Sequence, residues 1–387
     1  MSGADKTISG EVAIPEFRQI MGHPAPLWML FMTEFWERFA FYGIRWALVL
    51  YIVAQFFEGQ GTGEAPAGLI YGSYLALVYA SAVLGGWVAD RLIGYQRSIL
   101  IGAAFMAAGL FMITLPNLDI FKLGLATIIV GNGLFKPNIS TMVGKLYALS
   151  DTRRDSGFTI FYMGINTGAL IAPVLTGWLA QQYAGPGAGP AYKVVFFAAG
   201  VGMLLSLVWF FIGKRQLNGI GAPAPDAQSP MRMVWVALGA LCAIPVMYGL
   251  LRVDAATLQI VLSVLFVILA IMLIVEGVRE GKVARDKTIA MMIIFFFNIM
   301  FWCFFEQAGS SFTFLADKIV NREFGTFTFP TAWFQSVNSI AVIACAPILA
   351  AIWVMLGRRN ANPSIPRKFG LGLIFNGAAF LLLMFAL

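Results

Sequence analysis

Glu34, Glu37 and Arg38 fall within an apolar run from about Pro26 to Phe57, in the stretch T-E-F-W-E-R-F-A-F-Y-G at 33–43. Helical spacings of three and four residues set these side chains on one face. Arg45 lies two turns beyond Arg38 and extends that face, and Tyr42 adds a hydroxyl to it. The rest of the segment is Phe, Trp, Leu, Val and Ala. An ionised group at mid-membrane costs at least about 2.5–3.5 kcal/mol on insertion scales. Such charges persist where they face a polar interior and partner one another.

Other polar residues interrupt apolar runs further along. Lys136 sits beside Pro137 in G-N-G-L-F-K-P-N-I-S at 131–140, and Asn166 between glycines in F-Y-M-G-I-N-T-G at 161–168. Glu306 follows Trp302 and Cys303 in F-W-C-F-F-E-Q, and Gln335 and Asn338 fall in W-F-Q-S-V-N at 333–338. Each has a plain alternative. A lysine near a helix end snorkels to the interface, an asparagine flanked by glycine joins helices, and Tyr79 or Trp302 can simply pack or anchor. Asp90 and Arg91, in G-G-W-V-A-D-R-L-I-G at 85–94, lie at a membrane edge, where a structural or gating role outweighs ligand contact.

Three carboxylates (Glu34, Glu37, Glu306) and three cations (Arg38, Arg45, Lys136) make the interior neutral overall, which suits a zwitterionic ligand. A sugar site would need mainly amides and aromatics, and a simple anion site cations without the acids. The only histidine, His23, precedes the first span, so proton coupling has to run on carboxylates, whose protonation burial can bring into the working range. No nucleophile–base pair and no metal-ligand cluster appears, so neither an enzyme nor a metal or organic cofactor is expected.

These residues must be held by membrane helices. The 387-residue chain is 59% hydrophobic and only 12% charged, against about 25% charged in soluble domains. Its apolar segments are continuous rather than alternating, which predicts an all-α polytopic membrane protein and excludes a β-barrel. Eleven spans are expected at about 27–56, 68–90, 98–115, 121–146, 157–183, 192–213, 233–251, 256–277, 288–315, 330–356 and 369–387. Residues 1–26 lack a signal-peptide core. The three cysteines all lie in spans, so no disulfide framework is expected.

Eighteen of the 26 Lys and Arg fall in alternate loops on the N-terminal side, five in the opposite loops and three within spans. The positive-inside rule then places the N-terminus in the cytoplasm of a cell membrane. The same asymmetry accounts for the net charge of +7 without a nucleic-acid partner. A Gly-, Ala- and Pro-rich linker (G-A-P-A-P at 221–225) divides the chain. It separates a six-helix N-terminal bundle (27–213) from a linker region with two extra helices (214–287) and a partial C-terminal bundle (288–387). The extra pair reads as a peripheral hairpin. The last run ends at Leu387 without a polar tail, which reads as truncation.

E-F-W-E-R-F-A-F-Y-G closely resembles the E-x-x-E-R-F-x-Y-Y-G motif of the proton-dependent oligopeptide transporters of the major facilitator superfamily. F-Y-M-G-I-N-T-G-A-L-I-A-P is similar to that family's fifth-helix signature, and G-G-W-V-A-D-R-L-I-G to the looser superfamily loop motif. The resemblance covers about 30–387. It implies two six-helix bundles around a central site, with two additional helices between them. It also implies that Glu34, Glu37 and Arg38 form a proton-responsive cluster, joined by Glu306. Tyr42, Arg45 and Lys136 would hold the peptide carboxylate, with Asn166 on the peptide backbone and Asn338 towards its amino-terminal side. Tyr79 and Trp302 would line the pocket, and Glu306 would pair with Lys136 as the bundles close. Phe41 departs from the motif, replacing its first Tyr, and the family's last three helices and their carboxylate for the peptide amino terminus are missing.

The function this implies is proton-coupled symport of di- and tripeptides by alternating access, by a monomer in contact with membrane lipid and no nucleic acid. The alternatives are transport of nitrate or another small anion, a peptide receptor that does not transport, and an inactive truncated remnant.

Overall fold

The computed structural model describes residues 14–186, 189–223 and 228–386. Lys6, part of the G-A-P-A-P stretch and Leu387 lie outside the described residues. Among the described residues twelve α-helices carry the fold: α1 (Ala25–Phe56), α2 (Glu64–Val88), α3 (Tyr95–Met112), α4 (Leu118–Lys145), α5 (Arg154–Gln182), α6 (Tyr192–Gly213), α7 (Pro230–Arg252), α8 (Ala255–Arg279), α9 (Lys282–Phe305), α10 (Ser311–Lys318), α11 (Phe334–Arg358) and α12 (Ile365–Ala386). Among the described residues 11 helical segments are long and apolar enough to cross a membrane, with α9 and α10 counted as one. The protein is a multi-pass membrane protein.

Local chemistry sets several helix starts. The Asn117 side chain accepts from the backbone N–H of Asp119 and Ile120 at the head of α4, and Asp254 accepts from that of Thr257 in α8. Each cap satisfies a donor that the first turn leaves open.

The first helix is the hub. It packs along α5 and α6, while α3 and α2 pack on α4. Lipid gives no hydrophobic drive for helices to associate, so close backbone approach at small residues does this work. Gly102 faces the Gly131 carbonyl, Gly109 faces that of Gly124, and a Cβ on Gly85 would overlap the carbonyl of Gly133. Gly85→Ala is therefore expected to destabilise the fold by about 1–3 kcal/mol or more. The check is the unfolding midpoint in detergent, and an unchanged midpoint would refute this packing.

Three features differ from the sequence expectation. The ninth span is not continuous over 288–315. It breaks after Phe305 into a single 3₁₀ turn, Glu306–Gly309, before α10 resumes. The break is held from α11: the Gln335 amide donates to the Ala308 carbonyl and to Thr313 Oγ1, and Thr313 Oγ1 donates to Ala308 O at 2.9 Å. A Cβ on Gly309 would collide with the Tyr71 hydroxyl, so the turn can lie against α2 only with glycine there. The second difference is at the end of α2, where Ala89–Ile93 forms a π turn closed by Gly94 at φ +75°. The third is a pair of two-residue hairpins, β1 (Gln19–Ile20) with β2 (His23–Pro24), and β3 (Glu323–Phe324) with β4 (Phe327–Thr328).

The first hairpin is strapped to the α4–α5 loop. Arg153 donates to Gln19 Oε1 and the Gly22 carbonyl, each at 3.1 Å, and Tyr147 OH lies 2.8 Å from His23 Nδ1. Asp151 orients Arg153 through Nε and Nη2, and those bonds hold its carboxyl down at about 2. A depressed carboxylate keeps its contribution above its unfolded value and loses it as pH falls through the folded one. The strap is thus expected to hold from pH 8 down to pH 4. Hydrogen exchange at residues 19–24 should stay slow throughout that range and accelerate in Arg153→Ala.

Contacts between the first six helices and α9–α11 concentrate at the end remote from the N-terminus. Lys318 pairs with Glu64, Ser336 Oγ donates to Leu170 O at 2.8 Å, and Trp333 Nε1 to Val174 O at 3.2 Å. The extra hairpin splits its partners, α7 lying on α4 and α8 on α9.

Candidate functional site

Below those contacts lies a cavity of about 830 Å³ between α1, α2, α4, α5, the α9–α10 break and α11. Glu34, Arg38, Tyr42, Arg45, Tyr79, Lys136, Asn166, Trp302, Glu306 and Asn338 all line it. Residues up to 304 positions apart in the sequence (34 to 338) thus meet on one surface. Asp90 and Arg91 do not. They sit exposed on the π turn, where the Tyr95 hydroxyl donates to Asp90.

The α1 face is a charged ladder. Arg38 donates to both oxygens of Glu37, at 2.6 Å from Nη2 to Oε1, and its Nε lies 3.2 Å from Glu34 Oε1. Glu37 is fully buried behind the cavity wall, whereas Glu34 and Arg38 reach the wall itself. Phe41 stacks its ring 5.0 Å from the Arg38 guanidinium. At the motif position where the first Tyr is expected, an apolar ring covers the cation. Two turns on, Arg45 Nε donates to the Tyr71 hydroxyl at 3.1 Å and Nη2 meets Glu306 Oε2 at 2.7 Å. The helix break delivers this contact, because Glu306 opens the 3₁₀ turn and so points across at α1.

In this conformation Glu306 meets Arg45, and the Glu306–Lys136 pair is expected only as the bundles close. Lys136 instead lies with Nζ 4.5 Å from the centroid of the Tyr79 ring, a cation–π contact at the wall. Although Pro137 follows it, α4 runs on without a break, and the buried Asn138 amide beside it donates to Leu134 O, Ser98 Oγ and Gly85 O. Asn166 donates to Tyr162 O of its own helix at 3.0 Å and sits at the cavity wall.

Sequence reasoning missed Tyr71, Tyr74, Asn132 and Tyr162. Tyr71, Leu75 and Tyr79 recur at four-residue steps and all line the cavity, so the spacing carried a readable signal. Asn132, one turn before Lys136, is buried against Glu37.

A family profile described as the POT family matches residues 96–386. The chain belongs to the POT family. It is 36% identical over 382 residues to the "Uncharacterized transporter YclF" of Bacillus subtilis (strain 168), covering 96% of this chain and 76% of that one. It is 35% identical to a "Di-/tripeptide transporter" of Lactococcus lactis subsp. cremoris, covering 95% and 76%. A crystal structure of the peptide transporter POT in complex with alafosfalin superposes with a TM-score of 0.79 at 36% identity, over 94% of this chain and 74% of that one. The fold of this POT family member is therefore that of the major facilitator transporters, and the chain spans about three quarters of these relatives' lengths.

Proposed function

We propose that this POT family member imports di- and tripeptides by proton-coupled symport and alternating access. The observation that supports this most is the mixed-sign cavity. A zwitterionic backbone has a cation and an anion at its two ends, and the wall offers Arg45 and Lys136 on one side and Glu306 across from them. Peptide transport is also the activity for which several relatives are named.

In this reading residues 27–213 form one moving body and 288–387 the facing one, with 214–287 a peripheral linker. The N-terminus is cytoplasmic and the membrane is the cell membrane, as the loop charges argue. With both bodies in contact at the far end, the conformation is inward-facing. Tyr42, Arg45 and Lys136 take the peptide carboxylate, Asn166 the backbone and Asn338 the amino-terminal side, while Tyr79 and Trp302 shape the pocket. Glu37, with Glu34 and Arg38, carries the proton. A proton on Glu37 weakens its pairing with Arg38, and its loss towards the cytoplasm restores the pair and favours release. Glu306 couples the two bodies through Arg45, and passing it to Lys136 accompanies the reverse movement. Asp90 and Arg91 act at the membrane edge as a gate or brace. The working unit is a monomer in lipid.

The test is uptake of a labelled dipeptide by proteoliposomes with an inward proton gradient. Accumulation that collapses with a protonophore supports symport. Accumulation that nitrate competes away supports anion transport, and saturable binding without accumulation a receptor.

A further inference from the structure

Glu37 is buried deeper than its neighbours, and Arg38 accounts for its partners on α1. One further contact comes from another helix. Asn132 of α4, only 1% exposed, points its Nδ2 at Glu37 Oε1 from 3.5 Å, the long limit of a hydrogen bond. The oxygen of the same amide, Oδ1, is buried and has no hydrogen-bond partner among the described residues. A buried acceptor left without a donor is unfavourable by more than an ordinary hydrogen bond contributes, so its retention points to a state in which it is used.

An amide has a donor end and an acceptor end of nearly the same shape. With the donor towards Glu37, Asn132 suits the carboxylate. Turned over, it would set an oxygen against Glu37, which is favourable only when Glu37 carries a proton to donate. The other groups around Glu37 divide by what they offer. Arg38 on α1 and Lys136 on α4 only donate. Glu34 is turned to Arg38 Nε at 3.2 Å. Tyr74 on α2 lies within electrostatic reach of Glu37 and has a buried hydroxyl without a hydrogen-bond partner among the described residues. Tyr42 on α1 and Tyr162 on α5 line the cavity in front.

We propose that Asn132 is a positioning residue for the proton on Glu37, its amide turning over as Glu37 passes between carboxylate and carboxylic acid. The N–H···O bond of the charged form is replaced by an O–H···O bond in the neutral form. Arg38 still supports the carboxylate when Asn132 is gone, but it cannot accept from the acid. Loss of the amide therefore weakens the protonated form more than the ionised one.

The inference rests on the reading of Glu37 as the proton carrier. The experiment measures the pH midpoint of gradient-driven dipeptide uptake in proteoliposomes for the unmodified chain, Asn132→Leu, Asn132→Thr, Tyr74→Phe and Glu37→Gln. Asn132→Leu, close in shape, should move the midpoint about one unit to acid pH, a tenfold change in proton occupancy. Asn132→Thr retains a group that both donates and accepts and should return the midpoint most of the way to that of the unmodified chain. If Asn132→Leu does not fold, Asn132→Met should show the same movement. An unchanged midpoint with uptake reduced equally at every pH makes Asn132 merely structural and overturns the proposal. So does a shift seen in Tyr74→Phe but not at Asn132. Should Glu37→Gln itself retain a normal pH profile, the carrier assignment fails, whatever Asn132 does.

Discussion

Replacing Glu37 by Gln is expected to reduce proton-driven accumulation of a labelled dipeptide to the level of empty liposomes while counterflow exchange continues. Glutamine nearly matches glutamate in shape, so the Arg38 side chain keeps an oxygen to donate to at the position where it now meets Oε1 at 2.6 Å. The variant mimics a permanently neutral acid. In the proposed cycle it can enter the conformations that the protonated protein visits, but it never gives up the proton whose departure drives the return. Exchange of one peptide for another does not require that departure. Parallel measurements on preloaded and unloaded vesicles decide the matter. Equal loss of both activities would mean that Glu37 matters for folding or binding instead.

The second large effect is expected at Arg45. This side chain is 6% exposed and makes three contacts at once: Tyr71 on α2, Glu306 on the helix break, and the Tyr42 ring at 5.8 Å. Truncating one partner of a desolvated, hydrogen-bonded charge pair typically costs 2–5 kcal/mol. Arg45→Ala is therefore expected to weaken dipeptide binding by at least about 30-fold. Arg45→Lys should recover only part of this, since an ammonium supplies the charge but not the fork that reaches Tyr71 and Glu306 together. Competition binding on purified protein in detergent is the check. An Ala variant that binds within threefold of the unmodified chain would remove Arg45 from the site.

Much of this arrangement was legible from residue type and spacing. Charged residues in an apolar run can survive only on a common interior face, and every lining residue named from the sequence does reach one cavity. What escaped depends on contacts between distant elements. The break at Glu306 is not written in F-F-E-Q-A-G-S-S alone, whose apolar flank reads as one helix. It needs Gln335 from α11 and the Tyr71 hydroxyl opposite Gly309. The same break decides which cation Glu306 meets, so the pairing with Arg45 in place of Lys136 was equally hidden. Asn132 escaped because an asparagine between two glycines reads as helix glue. Only the position of Glu37 on the facing helix shows otherwise. The strap on the first hairpin joins residues more than 120 positions apart, which no local pattern encodes.

The balance of three acids against three bases around the cavity has an electrical consequence. With all six groups ionised the empty site carries no net charge, so in the proposed cycle its reorientation is indifferent to the membrane potential. A bound zwitterion leaves that balance untouched. In the symport proposed above the proton is then the one unpaired charge that crosses, and each proton carried moves one positive charge inward. At an inside-negative potential of 100 mV this contributes about 2.3 kcal/mol per proton, enough for about 50-fold accumulation of a neutral cargo carried with one proton and no pH difference at all. The neutrality that makes six charges tolerable within the membrane is also what lets voltage act on the proton alone.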